Sequence, residues 1–369
     1  MKVVFVNRYF HPDHSATSQM VSDLAFHLAS RGWKVAVLTS RQRYDDPLAQ
    51  LPRRETVRGV EIVRLTSTSF GRATLPGRAV DYLTFYLNAF GSLLARRKSL
   101  VVAMTDPPLL SVMVALTGKP LVNWIQDLFP EVAAALGVRT PDWIRAFRDW
   151  SLRRARVNVA IGEQMGKRVP KAVVQHNWAD AALHPVDVPH DKFVVGYSGN
   201  LGRAHDAATM LGAMRLLRDD PNIELVITGG GALLDEVRRE HLPNVRFAPY
   251  APLEKLSESL SAADVHLVSL NPRLEGLIVP SKFYGVIAVA RPVLFIGAPH
   301  GELASLVRDH DLGLVVETGE SITLATAIRE LAADPVRRLE MGRRGRALYE
   351  ERFAPSIALH NWEKILADA

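Results

Sequence analysis

A strand–helix–strand unit packed into the first forty residues constrains this chain more than any other feature. Val3-Val4-Phe5-Val6 is an apolar run suited to a strand buried on both faces, and the loop His11-Pro12-Asp13-His14-Ser15 follows it. Met20, Val21, Leu24 and Leu28 then recur at the 3.6-residue period, which predicts a helix from about residue 17 to 30, stopped by Gly32. Residues 34–39, Lys-Val-Ala-Val-Leu-Thr, read as the next strand. Two strands joined by a helix at this spacing are parallel, and the crossover is right-handed. Further strands are predicted at 60–65, 100–104, 120–125 and 157–161.

The second half repeats the scheme. Strands are predicted at 192–197, 223–228, 245–248, 265–270 and 293–296, helices at 206–217, 232–240, 253–261 and 282–289, and two more helices close the chain. Between the halves, residues 182–190 carry two prolines and little periodicity, which reads as a linker. A chain of 369 residues is also too long for one ordinary core. Two doubly wound α/β domains in series follow. Such sheets bind ligands at the carboxyl ends of their strands, so each domain offers one ligand edge.

Composition narrows the function classes. There is no cysteine, which removes disulfides, thiolate metal sites and cysteine nucleophiles and fits a reducing, cytoplasmic setting. The N-terminus lacks the apolar stretch of a signal peptide, and no window approaches the roughly 18 apolar residues of a membrane span. The first 190 residues carry 25 Lys/Arg against 15 Asp/Glu, whereas the remainder carry 20 against 24. A basic first half suits an anionic partner. No aromatic-and-basic recognition motif supports nucleic acid, which leaves a phospholipid surface or a merely arginine-rich exterior. Residues 143–156, with Trp143, Phe147 and five arginines, and residues 83–90, leading to Arg96-Arg97-Lys98, suit a membrane interface or, equally, core helices with solvated arginines.

Three stretches stand where chemistry is expected. Gly199-Asn200-Leu201-Gly202-Arg203 follows a strand and precedes a helix, so glycine backbone can approach a phosphate while Arg203 and His205 add donors, or the stretch is a plain tight turn. No GxGxxG fingerprint is present. Thr228-Gly229-Gly230-Gly231 reads more readily as close strand–helix packing than as a ligand loop. The most informative stretch runs from Arg273 to Tyr284: Glu275 beside Gly276 can accept hydrogen bonds from sugar hydroxyls, and Ser281-Lys282 opens a helix where a lysine neutralises phosphate, the plainer alternative being a solvated loop with a serine cap. In the first half, Asp127 either caps a helix or accepts a bond from substrate, and His14, Ser15 and Thr17 occupy the first strand–helix loop. Asp309-His310-Asp311 reads as a surface loop, and no metal site is evident.

In order along the chain, these residues resemble glycosyltransferase family 4, the retaining enzymes of the GT-B fold, and more narrowly the bacterial exopolysaccharide and O-antigen subgroup. The resemblance rests on Asn7-Arg8-Tyr9-Phe10-His11-Pro12, Arg31-Gly32-Trp33-Lys34-Val35, Thr105-Asp106-Pro107-Pro108 and Gln126-Asp127-Leu128-Phe129-Pro130-Glu131. It continues through His176-Asn177-Trp178-Ala179-Asp180, Tyr197-Ser198-Gly199-Asn200-Leu201-Gly202, Ala263-Asp264-Val265, Leu274 through Tyr284, and Ala290-Arg291-Pro292-Val293.

What the resemblance implies is an α/β GT-B architecture, two Rossmann-like parallel-sheet domains facing across a cleft. It divides the chain into an acceptor domain at 1–185, a nucleotide-sugar domain at 191–352 and a helix at 353–369 crossing back to the first. It implies a nucleoside-diphosphate sugar as co-substrate, no cofactor or metal, and a lipid-linked or oligosaccharide acceptor at the cytoplasmic face of the inner membrane. Catalytic roles fall on Glu275, Lys282, Arg203 and Asp127. Donor contacts fall on Gly199, Asn200, Gly202, His205, Gly229, Tyr250, Gly276, Leu277, Ile278, Pro280 and Ser281, and acceptor contacts on His14, Ser15, Thr17 and Gln126. The chain departs from the family pattern at Asn200 and His205, where phosphate-binding Arg and Lys are expected, at Gly285, where a ribose-binding glutamate is expected, and at Gln126, where many relatives have histidine. These departures keep two alternatives open: an epimerase or phosphorylase on the same scaffold, and a non-catalytic subunit that binds the nucleotide sugar.

Overall fold

A computed structural model describes all residues except 14, 45, 47, 71–74 and 97–98. The chain divides into two compact units, Met1–His176 with Leu359–Ala369, and Asn177–Ala358.

The first unit is an eight-stranded sheet: β1 Lys2–Val6, β2 Lys34–Ser40, β3 Arg54–Val57, β4 Val60–Leu65, β5 Leu100–Ala103, β6 Leu121–Ile125, β7 Val157–Ala160 and β8 Ala172–Val174. Its order is β3-β4-β2-β1-β5-β6-β7-β8, parallel except for β3 against β4. The central strands are apolar on both faces because helices cover both: Val3, Val4, Phe5 and Val6 are all inaccessible to solvent. The antiparallel β3–β4 pair is a difference from the sequence reading. Its turn is Arg58-Gly59, both at positive φ (48° and 82°), the conformation that lets a two-residue hairpin follow the strand twist. The helix Pro355–Asp368 ends in the first unit, where Trp362 packs at a tilt of 48° against Trp124 of β6 with ring centroids 4.4 Å apart.

The second unit has six parallel strands: β9 Phe193–Ser198, β10 Ile223–Thr228, β11 Val245–Ala248, β12 Val265–Ser269, β13 Val293–Gly297 and β14 Gly313–Glu317, in the order β11-β10-β9-β12-β13-β14. The proline-containing segment from 177 to 190 belongs to this unit and is tied to it. The Val186 amide donates to Ser261 Oγ at 3.0 Å, the Arg291 guanidinium donates to the Val186 carbonyl at 3.3 Å, and Leu183 lies beside Gly285. Prolines deny this stretch a regular element, and side chains of the unit satisfy its backbone instead.

Candidate active site

The strand order of the second sheet changes side between β9 and β12, with β10 and β11 added on one side and β13 and β14 on the other, and there the two parallel strands part. They pair only at Val265 with Val195 and His266 with Gly196, so beyond these residues a crevice opens at the carboxyl ends. The turn after β9 fills one side. Gly199 has φ +112°, and Gly229 and Gly231 have φ +132°, a region that side chains rarely tolerate. The two glycine turns are knitted together: Gly199 N donates to Thr228 O at 2.9 Å, and Leu201 N to Gly230 O at 2.7 Å. A Cβ at Gly229 would stand 2.4 Å from Gly199 O, and one at Gly231 2.4 Å from Leu201 O. Gly229 therefore shapes the site through packing, and Tyr250, whose ring edge lies 3.0 Å from the same position, covers it.

The amides of Asn200, Gly202 and Arg203 are not taken up by other groups among the described residues, and Arg203 is exposed beside them. The following helix, Ala207–Leu216, is not a second source of amides. Asp206 caps it, accepting from Thr209 N at 3.1 Å, so its positive end already faces a carboxylate. His205 closes the crevice, its Nδ1 2.6 Å from Ser269 O. Burial pushes the imidazole down to about 4, and the charge of Lys282 adds to this, so it is a neutral wall of the site rather than a cation.

Lys282 reaches the turn from the far side of the crevice. It begins the helix Lys282–Ala288, only seven residues long, and Ser281 forms no side-chain cap there. Gly276 at φ +71° turns the chain after Glu275, and Leu277 N bonds to Leu274 O at 2.9 Å. This compact loop through Ile278 and Pro280 delivers the lysine. Its Cε lies 3.8 Å from where a Cβ on Gly199 would sit. Its Nζ lies 3.8 Å from the Tyr197 ring centroid and donates to the Tyr197 hydroxyl. No carboxylate pairs with it among the described residues, and burial pushes the amine down to about 7.

Glu275 lies at the other end of the same loop, and one of its oxygens accepts from Glu302 N at 2.8 Å, at the start of the helix Glu302–Asp309. The other oxygen is so close to Gly301 that a Cβ there would come within 2.5 Å. A Cβ at Gly285 would stand 3.5 Å from Leu260 and 3.8 Å from Leu183, so a side chain there would meet apolar neighbours first. A cavity of about 510 Å³ lies elsewhere in this unit, at the amino ends of the strands between Lys192, Asp264 and Arg338. Within it Asp264 already has two basic neighbours, lying 3.6 Å from His190 and 3.5 Å from Arg338. The chemistry belongs to the crevice.

In the first unit, the strand ends bring together residues that the sequence reading singled out and others that it did not. Gln126 is buried and Asp127 is accessible at the end of β6. Asp127 does not cap the short helix Glu131–Ala135, whose N-cap position is Pro130. Although the side chain reaches solvent, the protein atoms packed around its carboxyl, and then the charge of Asp106, push it up to about 6. Ser15 precedes the helix Ala16–Ser30 without capping it, Thr17 is half-buried in its first turn, and His14 lies outside the described residues, as do Arg97 and Lys98. Asp13 organises this loop instead, accepting from Ser15 N at 2.8 Å and Tyr44 N at 2.5 Å. Buried Arg8 pairs with buried Asp81 at 3.6 Å, and Asp81 also accepts from Thr68 Oγ1 at 2.7 Å. Arg8 stands in a landmark of the sequence, but only the fold shows that it faces an acid about seventy residues away.

Two doubly wound α/β units in one chain, the second with an amide-bearing turn and a cation at its reversal point, define the GT-B class of fold. The comparisons with known proteins agree. Residues 15–177 match the glycosyl transferase 4-like domain, and residues 192–334 match the family described as glycosyl transferases group 1. The probable glycosyltransferase WbjE of Pseudomonas aeruginosa is 28% identical over 268 residues, 64% of this chain and 67% of that protein. The putative colanic acid biosynthesis glycosyl transferase WcaI of Escherichia coli is 22% identical over 374 residues, 89% and 92% of the two chains. Among solved structures, sucrose-phosphate synthase from Thermosynechococcus elongatus superposes over the full length of both chains with a TM-score of 0.77 at 18% identity. HepE of Anabaena, in complex with UDP-glucose, does so with a TM-score of 0.72 at 17% identity. The chain belongs to glycosyltransferase family 4.

Proposed function

We propose that this glycosyltransferase moves a hexose from a nucleoside-diphosphate sugar to a lipid-linked saccharide in surface-polysaccharide synthesis, retaining the anomeric configuration and using no metal. The observation that carries the reading is Lys282: a cation without a carboxylate partner among the described residues, beside a glycine turn with uncommitted amides. Such a pocket is matched to a diphosphate, whose charge grows as the sugar departs. HepE, solved with UDP-glucose, and WcaI, described for colanic acid biosynthesis, support the donor class and the product class.

The acceptor oxygen bonds to the anomeric carbon on the face from which the diphosphate leaves, and the departing phosphate oxygen takes the hydroxyl proton. No strong protein base is then needed. Lys282, Arg203 and the turn amides stabilise the leaving diphosphate. Glu275, held by the Glu302 amide, presents a fixed carboxylate to the sugar hydroxyls. Asp127, pushed up to about 6 and so ionised at neutral pH, accepts from the acceptor hydroxyl. Leu83, Leu87, Trp143 and Phe147 are exposed on helices of the first unit and support contact with an anionic membrane face that carries the acceptor.

Lys282→Ala tests the reading. Turnover of a nucleotide sugar found by thermal-shift screening of UDP-, GDP-, ADP- and dTDP-hexoses is expected to fall about 100- to 1000-fold. Activity within a few-fold of the unaltered protein would remove Lys282 from the site.

A further inference from the structure

Tyr197 is the residue on which Lys282 rests. It is the penultimate residue of β9 and only 1% exposed, so its position is fixed by the core. Its hydroxyl accepts from the lysine ammonium and donates to Asn200 O at 3.2 Å, while its ring lies under Nζ at 3.8 Å. One phenol thus links the cation to the backbone of the glycine turn. The groups facing the ammonium from neighbouring elements offer no negative charge. His205 from the loop and His266 from β12 are held neutral, both pushed down to about 4, and burial keeps the Tyr197 phenol protonated, with Tyr250 beyond it. Among the described residues, the Tyr197 oxygen and ring are what stabilise the charged form of this amine.

We propose that Tyr197 is the positioning residue of this site, holding the Lys282 ammonium and the Gly199–Gly202 turn in one frame so that both meet the same diphosphate. The inference rests on the assignment of the diphosphate to Lys282. An unsupported amine on four rotatable carbons would have to be ordered each time an anion arrives, whereas a tethered one is already aimed. Removal of the hydroxyl takes an acceptor from the charged amine, which therefore loses its proton at lower pH. It also leaves the Asn200 carbonyl without this donor, while the backbone bonds from Gly199 N and Leu201 N still hold the turn.

Tyr197→Phe keeps the buried ring and deletes only the oxygen. Binding of inorganic pyrophosphate to the full chain, measured calorimetrically from about pH 5.5 to 9, reads the lysine directly, because the probe carries diphosphate charge without a base or sugar. The alkaline fall in affinity is expected to move to lower pH by about half a unit to one unit in the Phe variant. Affinity at pH 8 should then be about 3- to 10-fold weaker, with the two proteins converging near pH 5.5. Lys282→Ala, as the control, should bind weakly at every pH. Tyr197→Leu, which removes ring and hydroxyl together, should lose more than Phe, and it serves alone if the Phe variant cannot be purified.

A Phe variant whose curve superimposes on the unaltered protein overturns the proposal. So does one weakened equally at every pH, which is the mark of packing alone. If the Lys282→Ala control itself binds pyrophosphate normally, it is the diphosphate assignment that fails.

Discussion

At the scale of single residues, the second unit keeps two imidazoles neutral, and that sets how the fold responds to acid. His266 lies in β12 at 2% exposure, with Nε2 2.8 Å from Leu260 O. Its ring occupies the space over Gly196, where a Cβ would come within 2.7 Å of Cε1. Burial pushes it down to about 4, as it does His205, against an ordinary value of 6.5. Above pH 6.5 both residues are neutral folded or unfolded, and their contribution to stability is fully present. Below it the unfolded chain takes up protons that the folded one refuses, so stability is lost progressively as pH falls from 6.5 towards 4. Each histidine steepens that decline by up to about 1.4 kcal/mol per pH unit. His266→Asn, which keeps a donor and cannot titrate, should flatten the slope of unfolding free energy between about pH 5 and 6 by that amount in urea titrations. An unchanged slope would mean that the folded protein already protonates His266. The sequence did not single out this histidine, and Tyr197 entered only as the first residue of a landmark, with no role: a polar residue within an apolar strand looks like core until its neighbours are known. Lys282 was legible because it follows a glycine-turned loop, whereas the Glu302 amide held by Glu275 lies 27 residues away along the chain.

At the scale of elements, the central strands were legible because helices on both faces demand continuous apolar runs, as in Val3–Val6 and Val293–Ile296. The β3 strand was not. Arg54-Glu55-Thr56-Val57 lies at the sheet edge, exposed or half-buried throughout, so no apolar period marks it. Helix faces were half legible. Of the five arginines between 143 and 156, Arg148 is buried and donates to Phe129 O at 3.0 Å, a packing role, while the other four are exposed. Trp143 and Phe147, one helical turn apart in Asp142–Arg154, touch edge to face at 6.0 Å and remain about half exposed. Leu83 and Leu87 are likewise exposed on Leu75–Leu94. Between these two helices packs Leu110–Leu116, with Leu116 exposed as well. Apolar tips among exposed arginines suit an anionic bilayer surface. The protein is expected to float with phosphatidylglycerol vesicles at low salt and to be released at about 0.5 M NaCl. Trp143→Ser with Phe147→Ser should abolish flotation while leaving pyrophosphate binding intact. Absence of flotation at low salt would end the membrane reading.

At the scale of the whole molecule, the first unit is discontinuous in sequence, because its core includes the chain's last eleven residues. Trp362 and Leu366 are inaccessible to solvent, and Trp362 meets Trp124, itself fully buried in β6. Deleting so large a buried ring costs about 3 to 5 kcal/mol, a large fraction of the stability of one domain. The core of the second unit, by contrast, draws on residues from Val195 to Met341, and the crevice with Tyr197, Gly199 and Lys282 belongs wholly to it. Trp362→Ala should therefore loosen the two units unequally. Hydrogen exchange is expected to show β5 and β6 losing protection while β9 and β12 keep theirs, and pyrophosphate should bind with unchanged affinity. Equal loss of protection in both sheets would show instead that the units unfold as one cooperative body, and the crevice would then owe its stability to a tryptophan outside its own unit.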